Sequence, residues 1–297
     1  DLGHAPFGHE GEVELTNIRN ELGLDDFWHE RNSLRIIDNI ELLEDDSSNY
    51  QNLNLTYAVR DGIISHCGEV DDNGIIPRTE KIDLNKFTKS GEYQAYTWEG
   101  CVVKVADKIA YLGRDIEDAI RMDFIESKDL KELREISKVY GEKIMNTTVI
   151  IHNFIISICE NSSPEAGIRL SEEHNKMLKR IKDFNYRAIY KNPKFDVYRK
   201  YVALVIRSIY DTLIESYDGD NTINKLKEKV NVYPTLIHDF CKYLKTYFSL
   251  EKDVRYKNKK IYGKLETREI YAQAIIDYIS GMTDRYAIEI FNELLRY

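Results

Sequence analysis

Three histidines and several carboxylates crowd the first thirty residues of the chain: His4, His9 and His29, with Asp1, Glu12 and Glu30 among the acids. Histidine is the side chain that exchanges a proton or binds a metal near neutral pH. A carboxylate three residues along a helix from a histidine can orient the ring and stabilise its charged form. His9 and Glu12 have that spacing. His4 and His9 flank Ala5-Pro6-Phe7-Gly8, and three glycines within twelve residues let backbone approach a ligand closely. Taken singly, a loop histidine is more often solvated or structural. Clustered in a glycine-rich turn, these residues read equally well as an acid–base or metal site.

A second group lies in the middle of the chain. Asp107, Tyr111 and Asp115 are spaced four apart, which lines them along one helical face, with Lys108 one step around. Lys182, Tyr186 and Tyr190 repeat that spacing. With 21 tyrosines in 297 residues, a tyrosine stripe is as often core packing as a binding surface. Arg31, Arg35 and Arg60 are candidate phosphate contacts, although Arg35 and Arg60 have near neighbours in Asp38 and Asp61 to pair with.

Helices must position these groups. His29–Leu43 carries Leu34, Ile37, Ile40 and Leu43 on one apolar stripe, and a helix is expected from about Asn54 to His66. Val102, Val105, Ile109 and Leu112 predict a long helix over about 98–120. Helices are also expected at about 128–158, 170–191, 194–218, 231–249, 265–280 and 283–296, with Thr283 as the N-cap of the last. Residues 67–96 read as an irregular, exposed excursion, and no alternating segment is long enough for a sheet. The expected fold is all-α, an irregular helical bundle.

Composition narrows the function. Hydrophobic residues make up 42% of the chain and charged residues 31%, and no Pro- or Ser-rich linker divides it. A net charge of −9 argues against an extensive nucleic-acid surface. No apolar run reaches the length of a membrane span and no signal peptide is visible, so no membrane partner is expected and cytoplasm is the default. Cys67, Cys101, Cys159 and Cys241 form no CxxC pair and read as free thiols.

The segment Asp1-Leu2-Gly3-His4-Ala5-Pro6-Phe7-Gly8-His9-Glu10-Gly11-Glu12 resembles the loop that follows the His-Asp pair of bacterial dGTPase-like, HD-domain dNTP triphosphohydrolases. Four more segments resemble that family in the same order: His29–Ile37, Leu53–Ile63, Ala106–Tyr111 and Asp277–Tyr286. The resemblance implies an HD-type bundle, with residues 1–125 as the C-terminal part of the metal-phosphohydrolase core. Residues 126–297 would be a helical extension completing the nucleotide pocket and oligomer contacts. It implies Asp1 and Asp107 as ligands of a divalent metal, Mn²⁺ or Mg²⁺, with two histidine ligands upstream of residue 1. In the 297-residue chain that ion is expected to be loose or missing, since transition-metal affinity rests on imidazole.

The implied reaction converts a dNTP and water to deoxynucleoside and tripolyphosphate. His9 is the expected general acid, with Glu12 and His29 as its polar partners and His4 near phosphate or sugar. The order Asp107-Lys108…Tyr111…Asp115 is similar to that of the SAM-and-HD-domain dNTP hydrolase, which implies Lys108 on phosphate and Tyr111 and Asp115 on the deoxyribose. Lys182, Tyr186 and Tyr190 would serve phosphate and base. Implied partners are the dNTP, an allosteric nucleotide and further copies of the chain, as dimers or hexamers. Two other readings stay open: another HD phosphohydrolase such as a nucleotide phosphodiesterase, and a non-catalytic nucleotide-binding module.

Overall fold

The computed structural model describes residues 2–68, 73–137, 147–249 and 254–296. Among them, twelve α-helices run in chain order: α1 (His9–Glu21), α2 (His29–Arg35), α3 (Tyr57–Ile64), α4 (Trp98–Arg121), α5 (Ser127–Ser137), α6 (Thr147–Asn161), α7 (Glu172–Asn185), α8 (Pro193–Ile214), α9 (Thr222–Glu228), α10 (Pro234–Tyr247), α11 (Arg268–Ser280) and α12 (Asp284–Leu294). Strands β1 (Leu42–Glu44) and β2 (Tyr50–Asn52) make one antiparallel hairpin, with Leu43 opposite Gln51. The expected all-α class is observed. No described helix is long and apolar enough to cross a membrane.

The chain divides into two compact units, one of residues 1–56 with 199–297 and one of residues 57–198. The expected change of role near residue 125 falls between α4 and α5, inside the second unit.

In the first unit, α2 passes into a single π turn over Ile36–Ile40, after which Glu41 turns extended. The apolar stripe expected to reach Leu43 therefore stops at Ile40, and Leu43 stands 62% exposed in β1. The hairpin that sequence periodicity missed is closed by polar chemistry. The Asp45 carboxylate accepts from the backbone N–H groups of Ser47 and Asn49, a side-chain-stabilised turn. Leu15, Ile18, Ile37, Val205, Ile206, Ile209, Phe240, Ile275 and Ile276 are all buried in this unit. The stretch expected as one helix at 231–249 is α10 alone, and α9, which starts at Thr222, precedes it. Proline at the start of α10 suits a first turn whose N–H groups have no helical acceptor.

Charge is buried within the first unit. Asp277 of α11 has a fully buried side chain, and Arg35 at the end of α2 meets it with Nε at 2.9 Å and Nη2 at 2.7 Å. Tyr262 and Gln273 also donate to the same carboxylate. Burial alone would lower the Arg35 pKa, but the adjacent carboxylate raises it, so the guanidinium stays charged. Arg35 thus pairs with Asp277, far along the chain.

The second unit is built around α4, whose first turn is capped by the Thr97 hydroxyl accepting from Gly100 N–H. Cys101, Val105, Ile109, Leu112 and Ile116 of α4 share one buried cluster with Leu133 and Ile136 of α5, Phe154 of α6 and Ile181 and Phe184 of α7. The connection before α4 differs from the exposed excursion expected. Ile75 exchanges both backbone hydrogen bonds with Ile168, and Leu84, Phe87 and Ala95 are buried. Asp61 of α3 accepts from Arg78 and from Tyr96 N–H, which pins the same connection by charge. The helix expected over 128–158 is described as α5 and α6, with residues 138–146 outside the described residues.

Replacing Arg35 by Leu would leave Asp277 buried and uncompensated, a change that costs about 3 kcal/mol or more. The double variant Arg35→Leu with Asp277→Asn is expected to recover part of that loss. Urea unfolding midpoints of the two variants check this, and equal midpoints would rule out the pair as the source of the loss.

Candidate functional site

The histidine cluster starts from a backbone that only small residues permit. A Cβ on Gly3 would lie 2.1 Å from the Ser33 nitrogen, so the loop presses directly on α2. A Cβ on Gly11 would lie 2.0 Å from the Pro6 carbonyl oxygen, so the first turn of α1 folds back on the same loop. Both polar groups of Gly3 are taken up: its N–H donates to Ser33 Oγ at 3.0 Å, and its carbonyl accepts from Asn32 Nδ2 at 2.8 Å. Asn32 Nδ2 also donates to Ser280 Oγ at the end of α11.

Phe7 adopts a left-handed backbone, φ 66°, unusual for a residue with a side chain. Its N–H donates to Asp284 Oδ1 at 2.7 Å. Asp284 sits in the first turn of α12, which Thr283 caps by accepting from Tyr286 N–H, as the sequence predicted. The 2–8 loop is thereby fastened to α2, α11 and α12. The Thr16 hydroxyl of α1 both donates to the Phe27 carbonyl and accepts from Phe27 N–H, which sets the start of α2 against α1.

This frame brings His4, His9, Glu12 and His29 together, with ligand-type atoms all within 4.8 Å of one another. Glu12 accepts from His9 Nδ1 at 3.1 Å and from His29 Nδ1 at 2.7 Å. His4 stacks on His29 at 4.3 Å between ring centroids and meets His9 edge-on at 5.1 Å. A second buried carboxylate, Glu30, lies 3.6 Å from His29 Nδ1. The gradient of exposure is steep: the His9 side chain is 76% exposed, Glu12 13% and His29 6%.

Electrostatics assigns protons within this cluster. Burial would raise the Glu12 pKa, but hydrogen bonds from His29 and His9 hold it down to about 2. A carboxylate that stays ionised can only accept, so both histidines present Nδ1–H to it. His4 is lowered to about 4, mainly by burial and then by the neighbouring His29, and is neutral at physiological pH. His9, held by a carboxylate on one side and exposed on the other, can deliver a proton outward while Glu12 stabilises its charged form.

Within the second unit, Asp107, Tyr111 and Asp115 follow one another along α4, with Lys108 beside them. The Asp107 carboxylate accepts from the Cys67 thiol at 3.6 Å. Tyr190 donates to Asp115 Oδ2, and burial followed by the Asp115 charge raises the Tyr190 pKa. The expected shared face of Lys182, Tyr186 and Tyr190 does not continue as one α-helical row. Tyr186–Tyr190 forms a π turn, whose wider spacing shifts the phase. Tyr186 is 56% exposed with Lys191 over its ring, while Tyr190 turns to Asp115. Arg31 lies 3.5 Å from Asp25 in an exposed pair.

Asp1 lies outside the described residues. Of the ligands implied for a divalent ion, Asp107 alone lies among the described residues. The four cysteines are free thiols, with Cys101 buried and Cys159 exposed.

Asn32, Ser33, Ser280, Asp284 and Thr16 went unassigned in the sequence. Their partners lie 11 to 277 residues away, so no local spacing marks them.

Acid should weaken the first unit in two stages. The unfolded chain protonates His4 at about 6.5 and the folded chain only at about 4, so stability falls as pH drops through that interval. Glu12 contributes stability above 4.5 that is lost as pH falls towards about 2. Denaturation midpoints measured against pH are expected to lose the upper stage in His4→Gln and the lower stage in Glu12→Gln. Unchanged profiles would contradict these assignments.

Residues 243–293 match the phosphohydrolase-associated domain, and this is the segment that supplies Asp277, Ser280 and Asp284. Over 99% of its length the chain is 27% identical to a protein of Rickettsia felis named deoxyguanosinetriphosphate triphosphohydrolase-like protein, covering 73% of that protein. A protein of the same name from Caldanaerobacter subterraneus subsp. tengcongensis is also 27% identical over 99% of the chain, with 64% of its length covered. The Pelagibacter ubique protein of that name is 29% identical over 98% of the chain and covered to 74%. The chain thus spans roughly two thirds to three quarters of the relatives' length. Similarity across almost the whole chain to proteins so named, together with the phosphohydrolase-associated segment, supports a hydrolase.

Proposed function

We propose that the protein hydrolyses a deoxynucleoside triphosphate to deoxynucleoside and tripolyphosphate. The observation that carries this reading is the Glu12 carboxylate shared by His9 and His29 at the start of α1 and α2. Water attacks the α phosphorus, and the bond from that phosphorus to the 5′ oxygen breaks. The departing alkoxide is a poor leaving group unless it takes up a proton. His9 in its charged form donates that proton, and Glu12 stabilises the imidazolium before transfer. His29 holds the other carboxylate oxygen, and neutral His4 lies against both rings without adding charge.

The names of the similar proteins and the family resemblance of the motifs support the nucleotide as substrate, and dGTP is the first to test. By that resemblance Lys108 contacts phosphate, Tyr111 packs on C2′ of the sugar, and Asp115 accepts from the 3′ hydroxyl. Tyr190, which donates to Asp115, orients that carboxylate. Lys182 and Tyr186 belong to phosphate and base contacts. A divalent ion, Mn²⁺ or Mg²⁺, with Asp107 among the ligands that the resemblance implies, would polarise phosphate and activate water. Assembly into dimers or hexamers and a second, regulatory nucleotide complete the proposal.

Product identification is the direct test, with each of the four dNTPs and Mn²⁺. It is run on the 297-residue chain. Tripolyphosphate is expected, whereas pyrophosphate or monophosphate would favour another phosphohydrolase and no turnover a binding module. His9→Ala should lower kcat by about 100- to 10,000-fold while dNTP affinity changes little. Near-normal rates would remove His9 as the acid. In Tyr111→Ala, ribonucleotides should begin to compete in the same assay, and unaltered discrimination would refute the sugar contact.

A further inference from the structure

We propose that His4, His9 and His29 also form a site for a borderline transition ion such as Zn²⁺, backed by Glu12, and that an ion there arrests hydrolysis. The binding half stands on the geometry of the first unit; the arrest half rests on His9 being the general acid.

The donor set is the first argument. Three imidazoles, two of them held from behind by one carboxylate, suit Zn²⁺ or Co²⁺ rather than the oxygen-seeking Mg²⁺ or Ca²⁺. Spacing is the second. Three rings bound to a tetrahedral ion at metal–nitrogen distances of about 2.0–2.1 Å have centroids roughly 5 Å apart. The three ring pairs here measure 4.3, 5.1 and 5.7 Å. His4 and His29 lie stacked with 15° between their planes, so the His4 ring must swing out of the stack before both point at one ion, while His9 already stands at about 60° to each.

Tautomer control is the third argument. A metal-binding histidine usually donates its other ring N–H to a carboxylate, which fixes the tautomer and the ring direction. Glu12 accepts from Nδ1 of both His9 and His29, so Nε2 carries the lone pair in each neutral ring. His4 supplies the third imidazole. Its Nδ1 is buried and has no hydrogen-bond partner among the described residues, an unmet acceptor or donor that ring reorientation towards an ion would relieve. Access is open from the solvent side, where the His9 side chain stands exposed.

The arrest follows from proton balance. An ion on His9 Nε2 occupies the lone pair that otherwise holds the transferable proton, and that proton leaves to solvent as the ion binds. The 5′ alkoxide then has no donor on this ring. Zinc would therefore oppose turnover even with substrate bound.

Co²⁺ titration tests the site, because a four-coordinate, nitrogen-rich Co²⁺ absorbs visible light intensely and Zn²⁺ displaces it. One Co²⁺ per chain with that spectrum is expected, and Asp107→Asn should leave it unchanged. His9→Ala, a change at an exposed side chain that folding tolerates, should abolish the band. Glu12→Gln should weaken binding by about 10- to 100-fold. A band that survives His9→Ala, or a pale six-coordinate spectrum in the unmodified chain, overturns the site. In the dNTP assay with Mn²⁺, equimolar Zn²⁺ should suppress product release. Full turnover with Zn²⁺ demonstrably bound overturns the arrest. Absence of tripolyphosphate in zinc-free protein would instead refute the triphosphohydrolase reading and leave the Co²⁺ result standing.

Discussion

A carboxylate shut away from water is costly unless hydrogen bonds to its charged form outweigh the lost hydration. Glu12 meets that condition through two imidazole N–H groups, one from its own helix and one from the next. The consequences spread outward. An ionised Glu12 dictates which nitrogen of His9 and His29 bears the proton, and so directs the other nitrogen of each ring. Burial, and then the neighbouring imidazoles, keep the third, His4, neutral. One negative charge organises three rings.

That arrangement needs its backbone held to fractions of an ångström. Gly3 and Gly11 remove side-chain atoms at the two contacts where the loop meets α2 and where α1 folds back on it. Asn32, Ser33 and Asp284 then take up the loop's polar groups, and Ser280 accepts from Asn32 behind them. Three of the fastening residues, Asp277, Ser280 and Asp284, lie in the segment matching the phosphohydrolase-associated domain. A physical role for that segment follows: α11 and α12 secure the histidine loop and the α2 helix behind it. Asp277 does so through Arg35, with Tyr262 and Gln273 completing the carboxylate's hydrogen bonds.

The second unit solves a different problem. Its long α4 presents Asp107, Tyr111 and Asp115 on one side while Val105, Ile109, Leu112 and Ile116 anchor the other in the unit's core. A rigid helix keeps polar groups spaced without strain. The π turn after α7 then lets Tyr190 reach Asp115 while Tyr186 stays exposed.

Much of this was legible in the residues themselves. The helical class, the extent of α4, the Thr283 cap and the crowding of His4, His9, Glu12 and His29 follow from periodicity, capping chemistry and short spacings, all local properties of a chain. The hairpin at Leu42–Asn52 was missed because three-residue strands carry no readable alternation, although the Asp45–Asn49 turn chemistry was present. The buried anchors within residues 67–96 were missed because polar neighbours mask Ile75, Leu84 and Phe87. Tertiary structure alone decided that Arg35 pairs with Asp277, that Asp284 holds Phe7, and that His4 loses its proton. Each depends on desolvation and on contacts between residues far apart in sequence, and neither burial nor a long-range partner is encoded in any local pattern.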